Sequence, residues 1–141
     1  MTVQNKSTVL FICNHNSARS QMAEGLLKSL HGEYYEVRSA GNNPTDVNPY
    51  AVKVLAELGV DISHQRSKSL QEFEGMEFDY VVTVCGGEGE TCPFFPGGNS
   101  YIHESFEDPV AVDGTDSEKT CAFRRIRDEI KDWIKETFEV K

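Results

Sequence analysis

An α/β fold in three layers, a four-stranded parallel sheet flanked by helices, is what this sequence predicts. Two observations carry that expectation. Apolar runs without polar alternation, at residues 8–12 and 78–84, suit strands buried on both faces. Between and after them lie stretches of helical apolar periodicity, and strands alternating with helices favour a parallel sheet covered on both sides.

The first strand is Thr8-Val9-Leu10-Phe11-Ile12. A helix follows, with Met22, Leu26 and Leu30 at i, i+4 and i+8 and with Ala23 and Leu27 beside them. Gly32 is placed to end it. Residues 35–41 read as the second strand. Asn48-Pro49 then supplies an N-cap with proline at the first helical position. Ala51, Leu55 and Leu58 form the stripe of this second helix, and Gly59 closes it. Residues 78–84 make the third strand and residues 100–105 a short fourth. Residues 85–99 hold five of the eleven glycines and two of the five prolines, so they read as a loop. In the last helix Phe123, Ile126, Ile130, Trp133, Ile134 and Phe138 keep one face. Thr115, with Glu118 three residues on, is a capping box before it.

The chain's 141 residues fit one catalytic domain, residues 1–141, around one core. Its 38% hydrophobic and 26% charged residues are a globular balance and argue against disorder. With 14 Lys and Arg against 23 Asp and Glu, the net charge is -9. Such a surface repels phosphate backbones, which argues against nucleic acid as a partner, and any anion site must be built locally. No apolar run approaches the ~20 residues of a bilayer span, and Met1-Thr2-Val3-Gln4-Asn5-Lys6 has no apolar signal segment. A monomer in the cytoplasm, away from membranes, is expected. Thiols stay reduced there, so four cysteines point to catalysis or metal binding before structural bridges.

Ligands of parallel sheets bind beyond the carboxyl ends of the strands. That rule singles out Cys13-Asn14-His15-Asn16-Ser17-Ala18-Arg19-Ser20, between the first strand and the first helix. A cysteine and an arginine five residues apart can bracket a backbone cup whose N–H groups converge on an anion. The helix dipole and Arg19 favour a thiolate at Cys13, and Ser20 is placed to donate to the same sulfur. Arg19 offers a planar fork that matches two oxygens of a phosphate-like group.

The pattern Cys-x5-Arg-Ser at residues 13–20 resembles the low-molecular-weight protein tyrosine phosphatases. Arg19-Ser20-Gln21-Met22-Ala23-Glu24-Gly25 is closer to the thioredoxin-coupled arsenate reductases of the same fold. Residues 79–86, Cys92-Pro93, Phe106-Glu107-Asp108-Pro109 and Arg127-Asp128-Glu129-Ile130 are similar to that family too. Two positions depart from its usual loop: His15 stands where glycine is common, and Ala18 where a second cysteine often lies. The His15 side chain is expected to point away from the anion.

The resemblance implies arsenate as substrate, with phosphate or sulfate as analogues, thioredoxin as electron donor, and no tightly bound cofactor. It implies a relay in which Cys13 attacks arsenic, Cys85 forms a disulfide with Cys13, and Cys92 takes Cys85 over. Asp108, before proline, takes the role of general acid, with Glu107 as the rival carboxylate. The linker Gly86-Gly87-Glu88-Gly89-Glu90-Thr91 looks cheap to rearrange, as a disulfide relay requires. A zinc site of Cys85 and Cys92 with His103 or His15 is disfavoured, because the spacing is wide and no second cysteine pair exists. Cys121 falls opposite the apolar stripe of the last helix and reads as a bystander, while His31, His64 and His103 read as surface residues. Some of the resembled reductases bind potassium beside the loop. Asn16, Glu24 and Ser39 match three of its ligands, and Lys68 stands in place of the fourth. Either its ammonium replaces the ion beside Glu24, or Lys68 is exposed and the site is lost. Two rival functions use the same groups: a tyrosine phosphatase needing Cys13, Arg19 and Asp108 alone, and a non-enzymatic oxyanion or redox sensor.

Overall fold

The computed structural model of the chain describes residues 6–85 and 92–138. Four strands, β1 (Ser7–Ile12), β2 (Tyr35–Ala40), β3 (Phe78–Thr83) and β4 (Gly98–His103), form one parallel sheet in the order β2-β1-β3-β4. The α-helices are α1 (Arg19–His31), α2 (Pro49–Ala56) and α3 (Asp116–Thr137). The chain leaves β1 on one side for β2 and returns on the other for β3. That reversal opens a crevice at the carboxyl end of β1, where the cysteine loop begins.

Val9, Leu10, Phe11 and Ile12 are all fully buried, which is why β1 shows no alternation. Val9 and Phe11 join a large core with residues of α1, α2 and α3; Leu10 and Ile12 join a smaller one with Phe73, Phe78, Val81 and Phe95. The α-helices therefore gather on one face. A 3₁₀ turn, Leu70–Phe73, and the segment carrying Phe95 close the other, a thin layer too short for sequence periodicity to reveal. Neither this turn nor a second one, Pro109–Ala111, was expected.

Two strand boundaries move. β3 ends at Thr83, and β4 runs from Gly98 to His103 instead of over residues 100–105. Main-chain pairing of Phe78 with Gly98 draws loop-like residues into the ladder whatever their side chains. Helix signals hold well. The Asn48 side chain accepts from the Tyr50 N–H at 2.9 Å, with Pro49 at the first position of α2. Thr115 and Glu118 close their capping box reciprocally at 3.0 and 3.1 Å. Hydrogen bonds from Thr115, its main-chain N–H first and then its hydroxyl, hold the Glu118 carboxyl below the ordinary glutamate range. At the far end of α3, Phe138 meets the rings of Phe11, Tyr35, Tyr80 and Trp133 edge-on. Arg124 and then Arg127 bind Glu57, tying α2 to α3 and holding that carboxyl down to about 2. No helix among the described residues is long and apolar enough to cross a membrane.

Gly25 sets the approach of α1 to its neighbours. A Cβ there would stand 2.4 Å from Ile62 Cγ2 and 3.1 Å from Leu55 Cδ1, both on fully buried side chains. Alanine would gain about 1 kcal/mol of helix propensity, but overpacking against stiff, branched Ile62 costs about 1–3 kcal/mol. Gly25→Ala is expected to lower stability by up to about 2 kcal/mol in urea unfolding. An unchanged midpoint would show that Ile62 yields.

Candidate active site

The loop between β1 and α1 is built around Asn16, a fully buried residue with a left-handed φ of 49°. Asparagine is among the few residues that accept that conformation cheaply. Its Oδ1 accepts from the Lys68 main-chain N–H at 2.8 Å and from Gln21 Nε2 at 2.8 Å. A main-chain N–H can only donate, so the amide orientation is fixed and Nδ2 faces two hydroxyls. It donates to Ser20 Oγ at 2.8 Å and to Ser39 Oγ at 2.9 Å. Ser20 Oγ thus accepts from Asn16, and its own proton is left for Cys13 Sγ, 2.8 Å away. The sulfur is thereby left as the acceptor of this hydrogen bond.

A second set of bonds holds the loop carbonyls from outside. The N–H groups of Asn43, Thr45 and Asn48 donate to the carbonyls of Asn14, His15 and Ser17 at 2.9, 3.2 and 2.9 Å. Among the described residues, the amides of His15, Asn16, Ser17 and Ala18 donate to no protein acceptor. This is the pattern of a backbone anion nest. Behind it, a Cβ at Gly41 would stand 2.5 Å from the carbonyl oxygens of both Cys13 and Asn14.

The loop opens into a cavity of about 210 Å³ lined by Cys13, His15, Ser17, Ala18, Arg19, Thr45, Asp108 and Val110. Five of the residues singled out in the loop line it. Asn14 does not, and Asn16 and Ser20 act from behind. Arg19 is 3% exposed; Nη1 donates to the Phe106 carbonyl at 3.1 Å, and Nη2 lies 3.6 Å from Asp108 Oδ2. Asp108, one-third exposed, caps the Pro109–Ala111 turn by accepting from the Val110 N–H at 3.0 Å. Glu107 faces Arg125 instead, at 3.0 Å. Sequence reasoning missed Thr45 and Val110, which reach the cavity through the outer clasp and the 3₁₀ turn. His15 is among the residues lining the cavity, and its Nδ1 is tied to the Asn43 carbonyl at 3.1 Å. A larger cavity, about 490 Å³ between residues 70–77 and 94–97, is lined by no cysteine, histidine or arginine.

Cys85 emerges beside this loop. Val84 N–H donates to the Ile12 carbonyl at 3.0 Å, and Cys85 Sγ lies 3.9 Å from the same oxygen, one residue before Cys13. Cys85 is fully buried and joined by a disulfide to half-buried Cys92, while Cys13 is a buried free thiol. The linker of residues 86–91, expected to rearrange cheaply, lies outside the described residues. Cys121 is a free, exposed thiol on α3. His103, read as a surface residue, is exposed and bonds Thr83 Oγ1 at 2.6 Å and Ser105 Oγ at 3.1 Å. Among the described residues, no group of three His, Cys, Asp or Glu side chains stands ready for a metal ion.

The residues matched to a potassium site do not fit an ion here. Asn16 Oδ1 is taken by two N–H donors, and Ser39 Oγ accepts from Asn16 while donating to Glu24 Oε1 at 2.5 Å. Glu24 is already met by Lys28 Nζ at 2.6 Å and Lys68 Nζ at 3.6 Å. Lys68 is 8% exposed and also donates to the Arg66 carbonyl at 2.9 Å. Burial pushes its ammonium down from the ordinary lysine range, and the Glu24 carboxylate pulls it back up.

The sequence matches the low molecular weight phosphotyrosine protein phosphatases over residues 8–140. The chain belongs to that family. Among its relatives is an arsenate reductase of Halalkalibacterium halodurans, 45% identical over 131 residues, covering 93% of this chain and 94% of the relative. A solved arsenate reductase in a phosphate-binding state superposes with a TM-score of 0.77 at 32% identity, covering 92% of this chain and 95% of the other. A thioredoxin-dependent arsenate reductase of Corynebacterium glutamicum superposes at 0.65, also 32% identical, over 96% of this chain and 63% of its own. Within the phosphatase family, the chain therefore sits beside proteins named for arsenate reduction.

If Ser20 donates to the sulfur, Ser20→Ala should slow iodoacetamide alkylation of Cys13 at neutral pH by about tenfold, the worth of one charge-assisted hydrogen bond. Reaction is followed by mass spectrometry of the Cys13 peptide. An unchanged rate would mean that Ser20 does not stabilise the thiolate.

Proposed function

We propose that this protein reduces arsenate to arsenite in a reducing cytoplasm, with Cys13 as nucleophile and Cys85 and Cys92 as successive electron carriers. The observation that carries the reading is the Cys85–Cys92 disulfide next to a free Cys13 in an anion loop. A phosphatase needs no such pair.

The chemistry balances as follows. Cys13 thiolate attacks arsenic while Arg19 and the loop amides hold the oxygens, and Asp108 protonates the departing oxygen, which leaves as water. Cys85 thiolate then attacks Cys13 Sγ. The S–As electron pair passes to arsenic, which falls from the +5 to the +3 state and departs as arsenite. The Cys13–Cys85 disulfide holds the oxidising equivalents until Cys92 attacks Cys85 and frees Cys13. The Cys85–Cys92 disulfide is the form that an external dithiol, thioredoxin in this reading, must reduce. Cys92 is the more accessible of the two sulfurs, so it is the natural point of attack.

Among the described residues no Phe, Tyr or Trp lines the anion cavity to stack on a phosphotyrosine ring, which favours a small inorganic oxyanion. Cys13, Arg19 and Asp108 still support weak cleavage of aryl phosphates, the second reading. Lys68, in this proposal, replaces a potassium ion: its ammonium supplies the positive charge beside Glu24 from within the chain.

NADPH consumption with arsenate, thioredoxin and thioredoxin reductase tests the relay. Cys13→Ser should fall to background in this assay and in aryl phosphate cleavage. Cys85→Ser and Cys92→Ser should each lose reductase turnover and keep the phosphatase activity, while Cys121→Ser should turn over normally. Full turnover in Cys92→Ser would sink the three-thiol scheme, and a single stoichiometric oxidation of the unmodified protein would favour a sensor.

The cation reading has its own measurement. The arsenate KM of the unmodified protein should be the same in potassium and sodium buffers of matched ionic strength and counter-anion. Lys68→Asp should make it several-fold lower in potassium. A potassium-specific gain in the unmodified protein would rule out the replacement.

A further inference from the structure

His15 lines the anion cavity beside Cys13, Ala18 and Arg19, and its ring is pinned by one nitrogen. The partner of Nδ1 is the Asn43 carbonyl at 3.1 Å, an oxygen that can only accept. Nδ1 must therefore carry the hydrogen, and in the neutral ring the lone pair sits on Nε2. Among the described residues Nε2 has no protein partner. The residue is exposed. Asn43 belongs to the segment that clasps the loop through the Asn43 and Thr45 amides, so the imidazole is oriented by the frame that shapes the nest.

From these observations we infer that His15 is a proton-gated ligand of the oxyanion. The inference rests on the reading of this cavity as an oxyanion site. A neutral ring presents a lone pair that repels an anion oxygen. A protonated ring presents a second N–H and a full positive charge, while its bond to Asn43 is kept. The anion then gains a charge-assisted hydrogen bond beyond those from Arg19 and the amides. Histidine is the side chain whose ordinary charge change falls between pH 5 and 8, so the gain arrives on mild acidification. The charged and titratable groups sharing the cavity are Cys13 of the loop, Arg19 of α1 and Asp108 of the segment before α3. Asp46 follows Thr45 in the clasp. Cys13 carries the thiol of this cavity, and any contribution of Asp108 is common to the single and the double variants compared below.

The experiment removes that thiol and uses a probe of constant charge. Sulfate, a dianion throughout this range, is titrated calorimetrically into Cys13→Ser and into Cys13→Ser/His15→Asn at pH 5.5 and 7.5. Asparagine retains a short polar side chain able to reach the Asn43 carbonyl but has no titrating nitrogen; His15→Gln in the same background repeats the comparison. The expected result is affinity about five- to tenfold tighter at pH 5.5 than at 7.5 in Cys13→Ser, as one added charge-assisted bond at a partly exposed site provides. The ratio should fall below about twofold in both double variants. Equal ratios in all three proteins would overturn the role of His15 while leaving the anion site in place. Sulfate that binds none of them at either pH would overturn the anion-site reading, and this inference with it.

Discussion

The carboxamide of Asn16 is the constraint on which the rest of the site depends. It is fully buried and its four polar contacts reach three parts of the chain: Ser20 and Gln21 on α1, Ser39 on β2 and the main chain of Lys68. Each contact also orients its partner. Because the Lys68 amide dictates which end of the carboxamide faces it, the direction of every proton down to Cys13 follows from one main-chain donor. A buried network of this kind is stable only when every member is satisfied.

The same network explains how an acidic protein keeps an anion site. The molecule as a whole carries a net charge of -9, a field that opposes any anion. Glu24, buried under the loop, would add to that repulsion, but two ammonium groups and a hydroxyl enclose it. The attraction then comes from short-range elements, Arg19 and main-chain dipoles. These act within a few ångströms and survive an unfavourable distant field, which salt screens further.

Much of this was legible in the sequence, for definite reasons. β1 and β3 announce themselves because burial on both faces removes alternation, and α3 because its stripe is long and its capping box complete. The loop of Cys13 and Arg19 stood out by residue type and by its place between β1 and α1, Asp108 stood out mainly through the resemblance, and all three line one cavity. Thr45 and Val110 did not stand out, since they reach the cavity through tertiary bonds that leave no local pattern. The thin covering of the second sheet face was hidden for a related reason: a four-residue 3₁₀ turn, Leu70–Phe73, completes no helical period. The partner of His15 was not legible, because a histidine in a loop carries no sign of direction until Asn43 is seen beside it.

Gly41 gives the anion cup a fixed depth. Two carbonyl oxygens of the loop rest where its side chain would begin, so the floor is supported by main chain against main chain. Such a contact has no rotamer to change and little room to compress. Evolution or an engineer seeking to admit a bulkier oxyanion has to work at the rim, where Thr45 and Val110 stand. The floor is a mould cast from backbone, and replacing the lining side chains leaves it as it is.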